Sequence, residues 1–264
     1  MEWVATFSGL RSRHLLVSYL RTSNRGDARH SWAILALLVR FIREYWPQTR
    51  IVFRGDSHFS KPRLLAWCDR NQVDYIVGMA RNQRLEALAA PAMDKVRTYY
   101  EAHGHKLAST FRFRYKARSW HKPRWVVARL EYGPQGPNPR FVISSRYDDG
   151  FKLYYEQYCA RGDMENRIKD QQLDLFAGRT SSTHWWTNQW RLILSGFAYT
   201  LFERLRVHLK NTPFERMSAG TLRLKLIKVG AVIIRNTRRI RVLMSDSYPH
   251  KNDLSALVQR LVPQ

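Results

Sequence analysis

IVFRGDSHFSKPRLLAWCDRNQVDYIVGMA, residues 51–80, decides the fold class. Ile51, Val52 and Phe53 form a short apolar run that fits a buried strand, and DYIVGMA at 74–80 supplies a second. Between them Ser60 stands in capping position and Pro62 in a first turn, so LLAWCDR at 64–70 is predicted to be helical. Strand, helix, strand in that order predicts a right-handed parallel unit. Asp56 then falls just past the carboxyl end of a strand, where open α/β sheets place their ligands. The structural alternative is an acid that only caps the turn after the strand. The RGD string at 54–56 invites an adhesion role, which nothing else in the chain supports.

Working outward, WVATFSGL (3–10) and RHLLVSYL (13–20) are β-rich runs around Gly9 and Ser12 and predict a hairpin. From Asp27 to Trp46 the apolar positions Ile34, Leu37, Leu38, Phe41, Ile42 and Tyr45 predict a helix that buries that face and stops before Pro47. From about Arg84 to Arg146 the pattern turns to β, with strands expected near 109–117, 123–131 and 140–145. Beyond Gly150 it turns helical again. Between Thr183 and Leu209, Trp186, Trp190, Ile193, Phe197 and Leu201 recur at helical intervals and are expected to pack as core. TLRLKLIKVGAVII (221–234) is a basic amphipathic stretch, and RRIRVLM (238–244) a further strand.

The net charge of +24 argues for a polyanionic partner, and an aromatic content of 13% favours nucleic acid over a solubility device. Between Lys106 and Arg129 there are eight Lys or Arg residues and no acid. Within it FRFRYK, taken as a strand, turns Phe111, Phe113 and Tyr115 to one face and Arg112, Arg114 and Lys116 to the other. Lys106, Arg112, Arg114, Lys116, Arg118, Lys122 and Arg124 are therefore candidate contacts to the DNA backbone, which position without reading sequence. A half-buried strand with merely solvated cations is the alternative.

Two cysteines, Cys68 and Cys159, belong to no CxxC pair, so neither a disulfide framework nor a structural zinc site is expected, which fits a reducing cytoplasm. His103 and His105 lack further ligands at a familiar spacing and are taken as loop residues. No run approaches 18 apolar residues, so no spanning helix is expected, and no signal peptide is visible.

YCARGDMENRIKDQQLDLF, residues 158–176, sets Tyr158, Arg161, Glu165, Lys169 and Gln172 at helical intervals. On one helix the five would share a stripe, with Glu165 held between Arg161 and Lys169. Such a carboxylate suits a site that meets a phosphate or a metal; a solvated, salt-bridged face is the alternative. In so basic a chain, Asp56 and Glu165 stand out among the acids.

RGDSHF, a β-rich insertion, and then a helix bearing Tyr158-x2-Arg161-x3-Glu165 together resemble the DDE transposases of bacterial insertion sequences with a YREK-type signature. The resemblance also takes in RHLLVSYLRTSN, WCDRNQVDYIVGMARN, TLRLKLIKVGA and RRIRV. It implies an α/β fold with an RNase H-like core interrupted by a β-rich insertion and followed by C-terminal helices. The expected boundaries are 1–83 for a partial core, 84–149 for the insertion, and 150–264 for the helical completion with its Glu-bearing helix and basic end. By position, Asp56 matches the family's second aspartate and Glu165 its glutamate, both as metal ligands; Tyr158 and Arg161 match the first two signature residues. The signature lysine falls at Gln172, with Lys169 one turn earlier as a substitute. The family's first aspartate lies on a strand upstream of the hairpin and has no counterpart here, so the core is expected to be incomplete N-terminally. A gap or an improvised neighbour is then expected beside the strand leading to Asp56.

The resemblance further implies two Mg2+ or Mn2+ ions and in-line phosphodiester displacement at transposon ends, with ions roughly 3.5 to 4 Å apart. With one carboxylate missing, ion binding is expected to be weakened and the chain to be inactive alone, since even an outer-shell loss typically costs about 10 to 100-fold. Implied partners are double-stranded DNA, both terminal inverted repeats and target, and a second copy or a full-length transposase; the implied location is the bacterial cytoplasm, at the nucleoid when DNA-bound. A non-catalytic DNA-binding fragment that modulates transposition is the competing expectation.

Overall fold

A computed structural model describes residues 14–20 and 30–261, except the side chains of Arg161 and Asp163. The chain divides into two compact units, one made of Ser23–Asp163 and the other of Met164–Gln264 with N-terminal residues 14–20. The structure is mixed α/β.

In the first unit, α1 (Ser31–Tyr45) leads to β1 (Val52–Gly55), α2 (Pro62–Arg70) and β2 (Asp74–Met79). β1 and β2 pair in parallel, with Phe53 opposite Tyr75. Pro62 lies in the first turn of α2 as expected, but the cap position is Lys61, and the Ser60 hydroxyl instead bonds the Ser57 carbonyl. Next comes α3 (Gln83–His103), a 21-residue helix where the sequence pattern suggests β structure. Asn82 caps it by accepting the Leu85 N–H at 3.0 Å, and Gly104 closes it with φ +69°, a conformation glycine adopts without strain. Leu85, Ala89 and Val96 are its buried positions, too sparse a stripe to stand out in a helix interrupted by Pro91.

β3 (Ser109–Tyr115), β4 (Arg124–Leu130), the small hairpin β5 (Tyr132–Gly133) and β6 (Gly136–Pro137), and β7 (Arg140–Ser144) follow. β7 adds antiparallel to β2 and the five-stranded sheet runs β1-β2-β7-β4-β3. Among the described residues β1 is thus an edge strand. Ile76, Val127 and Val142 form one patch of the sheet and take Leu153 and Tyr154 of a helical segment against it. Burying a side chain of this size contributes about 1.5 to 3 kcal/mol.

The sheet is tied to α2 by a buried ion pair. Asp69 lies 2.6 Å from the Arg124 guanidinium and also meets Lys122 at 3.1 Å, while Arg124 Nε donates to the Tyr75 hydroxyl at 2.8 Å. Beside it Cys68 is buried, and burial pushes its thiol up to about 12. Cys159 is exposed. A chromogenic disulfide reagent is therefore expected to titrate one thiol rapidly in the native protein and the second only on unfolding. Two thiols reacting at equal rates would contradict this burial.

The helical run from Lys152 to Asp174 is not one α-helix. It passes from a π-helix (Lys152–Tyr158) through a 3-10 turn (Cys159–Arg161) to α4 (Gly162–Lys169) and a second π-helix (Asp170–Asp174). The two π segments close their turns over five residues, so the 3 and 4 spacings from Tyr158 to Gln172 do not generate a single straight stripe.

In the second unit, α5 (Trp185–His208) inverts the expected packing. Trp186, Trp190, Phe197 and Leu201 are exposed, Trp186 to 77%, whereas Asn188, Gln189, Leu192, Ser195, Gly196 and Tyr199 are buried. The reason lies in residues 14–20, which have no strand partner among the described residues and need other hydrogen bonds. Gln189 provides them, accepting the Leu20 N–H at 2.7 Å and donating to the Ser18 carbonyl at 3.1 Å. The hairpin expected over 3–20 falls partly outside the described residues, and residues 14–20 carry no strand. α1 departs in the same way: Ser31, Leu35 and Val39 are buried while Leu37, Phe41 and Tyr45 are exposed.

α6 (Ala219–Leu222) is held by the preceding run: Asp170 accepts the Ala219 N–H at 2.9 Å and Asp174 the Gly220 N–H at 2.8 Å. The hairpin β8 (Ala231–Arg235) and β9 (Ile240–Met244) is exposed along both strands, and α7 (Lys251–Leu261) ends the unit. No helix among the described residues is long and apolar enough to cross a membrane.

Candidate functional site

β1 delivers Asp56. The strand stops at Gly55, where a side chain would meet the Phe59 ring at 2.9 Å, and the backbone turns into a 3-10 turn over Ser57–Phe59. Asp56 caps this turn, its Oδ1 accepting the His58 N–H at 2.9 Å, with His58 Nδ1 3.4 Å away. The capping role expected of a structural acid is therefore present, and it fixes the carboxylate at the strand end. Capping and ligand binding are compatible, because a carboxylate has two oxygens and about four acceptor positions.

β2 delivers the opposite wall. A Cβ at Gly78 would lie 2.5 Å from the Tyr158 hydroxyl oxygen and 3.0 Å from the Ser57 nitrogen, so glycine is what lets Tyr158 lie against the strand beside the Asp56–Ser57 peptide. Tyr158 is positioned from below by its own helix. Arg54 donates to the Gln157 carbonyl at 2.9 Å, Arg146 to the Gln157 side chain at 3.1 Å, and Tyr154 packs in the sheet core. Burial lowers the Arg54 pKa and raises that of the Tyr154 phenol, which keeps Tyr154 a neutral donor.

Asp56, Arg81, Asn138, Arg140, Tyr154 and Tyr158 line a cavity of about 370 Å³. Its lining combines arginines and phenol hydroxyls with one carboxylate, and so suits a phosphodiester approached at its charged oxygens. Arg81, Asn138 and Arg140 carry no sequence signal: they follow a strand or sit in the GPNPR turn, and only the sheet order gathers them.

The structure therefore brings Asp56 and Tyr158 together in the first unit. Glu165, Lys169 and Gln172 lie in the second, Glu165 and Lys169 exposed on α4 and Gln172 half-buried in the following π-helix. The Arg161 side chain lies outside the described residues.

The cationic strand resolves into distinct roles. Phe111 and Phe113 lie side by side, ring centroids 5.6 Å apart. Arg112 stacks 3.6 Å over the Tyr147 ring, and Arg114 lies 5.0 Å over that of Trp125. Arg114, Lys116 and Arg118 are exposed. Lys106 is paired with Glu131 at 3.0 Å, and its hydrogen bond, with Arg129 nearby, holds the Glu131 carboxyl below its ordinary pKa. Arg124 departs from expectation: its side chain is 2% exposed and committed to Asp69, so it faces the interior of the protein and not a DNA backbone. Lys122 is half-exposed and shares that acid.

Among the described residues no three His, Cys, Asp or Glu side chains come together as a cation site. At the cavity the described polar side chains are one carboxylate, Ser57, Asn138, a tyrosine pair and two arginines, so a single carboxylate is present. That set does not fit a pair of divalent ions, whose mutual repulsion needs several carboxylates.

No curated protein matches the chain. A family model described as transposase DDE domain group 1, in contrast, matches residues 4–264 and so spans both units, the Asp56 cavity and the Glu165 helix. With nearly its whole length covered, the chain belongs to the DDE transposase family.

Proposed function

We propose that this chain is the catalytic region of a transposase that cleaves transposon-end DNA and joins it to target DNA, Asp56 and Glu165 being two of the carboxylates that act on one phosphodiester. The observation that carries this reading is the Asp56 cavity: a carboxylate at the end of a parallel strand, faced by Tyr158 across Gly78, with arginines beside it. Tyr158 and Arg161 contact the DNA backbone, and Lys169 takes the place of the signature lysine that Gln172 lacks. The parallel unit of β1, α2 and β2 is part of an RNase H-like core, and the outer edge of β1 is where the family's first strand belongs. Residues 84–149 form the insertion and 150–264 complete the core.

Members of the family use divalent metal ions. With Asp56 as the one carboxylate lining the cavity among the described residues, such ions are held weakly there, and the chain alone is expected to bind ends without cutting them. It works on double-stranded DNA in the bacterial cytoplasm, with a second copy or an intact transposase as protein partner.

A second reading, a non-catalytic DNA-binding product that modulates transposition, is favoured by the exposed cations Arg114, Lys116 and Arg118 in the basic run. One experiment addresses both. The purified chain is titrated onto duplexes bearing the element's ends at 50 to 200 mM salt, then incubated with Mg2+. Affinity is expected to fall on the order of a thousandfold or more for six to eight phosphate contacts, with no cleavage. Salt-insensitive binding removes both readings. Cleavage abolished by Asp56→Ala removes the second and shows the chain to be active by itself.

A further inference from the structure

Among the described residues Arg140 is an arginine with no carboxylate partner. It opens β7 directly opposite Arg129 of β4, a like-charged pair across an antiparallel ladder, which is an unfavourable arrangement. Arg129 is compensated, touching Glu131 and lying 3.2 Å from the Tyr155 hydroxyl. Arg81, the other arginine of the cavity, is bound by Glu86 at 2.9 Å. Among the described residues no carboxylate pairs with the Arg140 guanidinium, which lines the cavity together with Asp56, Tyr154 and Tyr158.

A guanidinium presents two parallel N–H donors that match two oxygens of a phosphate, and it stays charged at every physiological pH. A cavity of about 370 Å³ has room for a phosphodiester with part of its sugar but not for a duplex. Resting on the function proposed above, we infer that Arg140 is a phosphate-binding residue that seats one backbone phosphodiester of DNA in the Asp56 cavity. The phosphate supplies the anion that Arg140 lacks among the described residues. It also brings the phosphorus between the arginine wall and the Asp56 carboxylate. Arg140 lies outside both the signature helix and the basic run 106–129.

The test uses the full chain, a fluorescent 30-base-pair duplex from the element's end, and anisotropy from 50 to 200 mM KCl. Arg140→Ala is expected to bind about tenfold more weakly and to have a salt slope shallower by about 1, with Arg140→Lys between it and the original chain. Arg97→Ala, which removes an exposed arginine on α3 far along the sequence from the cavity, controls for loss of charge alone. Circular dichroism confirms that each variant is folded. If Arg140→Ala matches Arg97→Ala while the original chain binds steeply, the Arg140 assignment is wrong and the transposase reading stands. If the original chain binds no duplex, the transposase reading fails. A second arm then separates phosphate from DNA: arginine modification by a phenylglyoxal, mapped by mass spectrometry. Protection of Arg140 by duplex supports the assignment. Protection by inorganic phosphate but not by duplex overturns the DNA part of it, and protection by neither overturns it entirely.

Discussion

Asp69→Ala is expected to destabilise the first unit by about 3 to 5 kcal/mol, the usual cost of removing one partner of a buried ion pair. Arg124 is 2% exposed, and its Nη2 lies 2.6 Å from Asp69, the one carboxylate it meets among the described residues. Without Asp69 the guanidinium keeps the Tyr75 hydroxyl, the Lys122 carbonyl and the face of Trp120, none of which carries a negative charge. A buried charge without a counter-charge is the costly case, whereas removing both charges together is often neutral. The double variant Asp69→Leu with Arg124→Met is therefore expected to be more stable than Asp69→Ala. Urea unfolding followed by tryptophan fluorescence measures both. A loss below about 1 kcal/mol for Asp69→Ala would place the pair in solvent.

Arg206→Met is expected to cost a similar amount, about 3 to 5 kcal/mol, in the second unit. Arg206 is 4% exposed and bonds Asp170 at 2.6 Å, Glu203, and the Met217 carbonyl at 3.0 Å. Its removal leaves two largely buried carboxylates near each other, with Arg167, 3.7 Å from Asp170, in partial compensation. Asp170 also holds the Ala219 N–H, so the loss is expected to reach α6. Hydrogen exchange of the Ala219 and Gly220 amides should quicken more than that of α5 amides. Equal quickening throughout would show a global effect without this local route. Adding Asp170→Asn to Arg206→Met is expected to recover part of the stability.

The parallel unit was legible because residues 51–80 carry their own punctuation. Apolar runs end at Gly55 and Ala80, Pro62 starts the helix, and Asp56 follows a strand. Helices α1 and α5 were legible as helices but not in their packing. Periodicity tells which residues share a face, and it does not tell what covers that face. On α5 the decisive demand is the hydrogen bonding of residues 14–20, met by Gln189, and this draws the polar face inward. α3 does not stand out in the sequence because its buried stripe has only three positions and a proline stands in its interior.

At the candidate site, Asp56 and Tyr158 were each identifiable from sequence, but their meeting was not. It depends on Gly78, a glycine inside an apolar strand whose missing side chain leaves room for a phenol more than 70 residues later. Arg140 was invisible for the same reason. Its meaning lies in being opposite Arg129 and next to Asp56, and both neighbours are set by strand order. Arg124 shows the reverse error: a cation in a basic run looked like a DNA contact, and one buried acid, Asp69, claims it.

Asp56 and Glu165 are proposed to act on the same phosphodiester. The most direct measurement is the separation of their carboxylates in a crystal structure of the chain bound to DNA from the element's end. They are expected to lie within about 10 Å of each other on either side of one backbone phosphate, given the roughly 3.5 to 4 Å ion spacing of such sites. A greater separation, or a DNA end bound away from the Asp56 cavity, would contradict it.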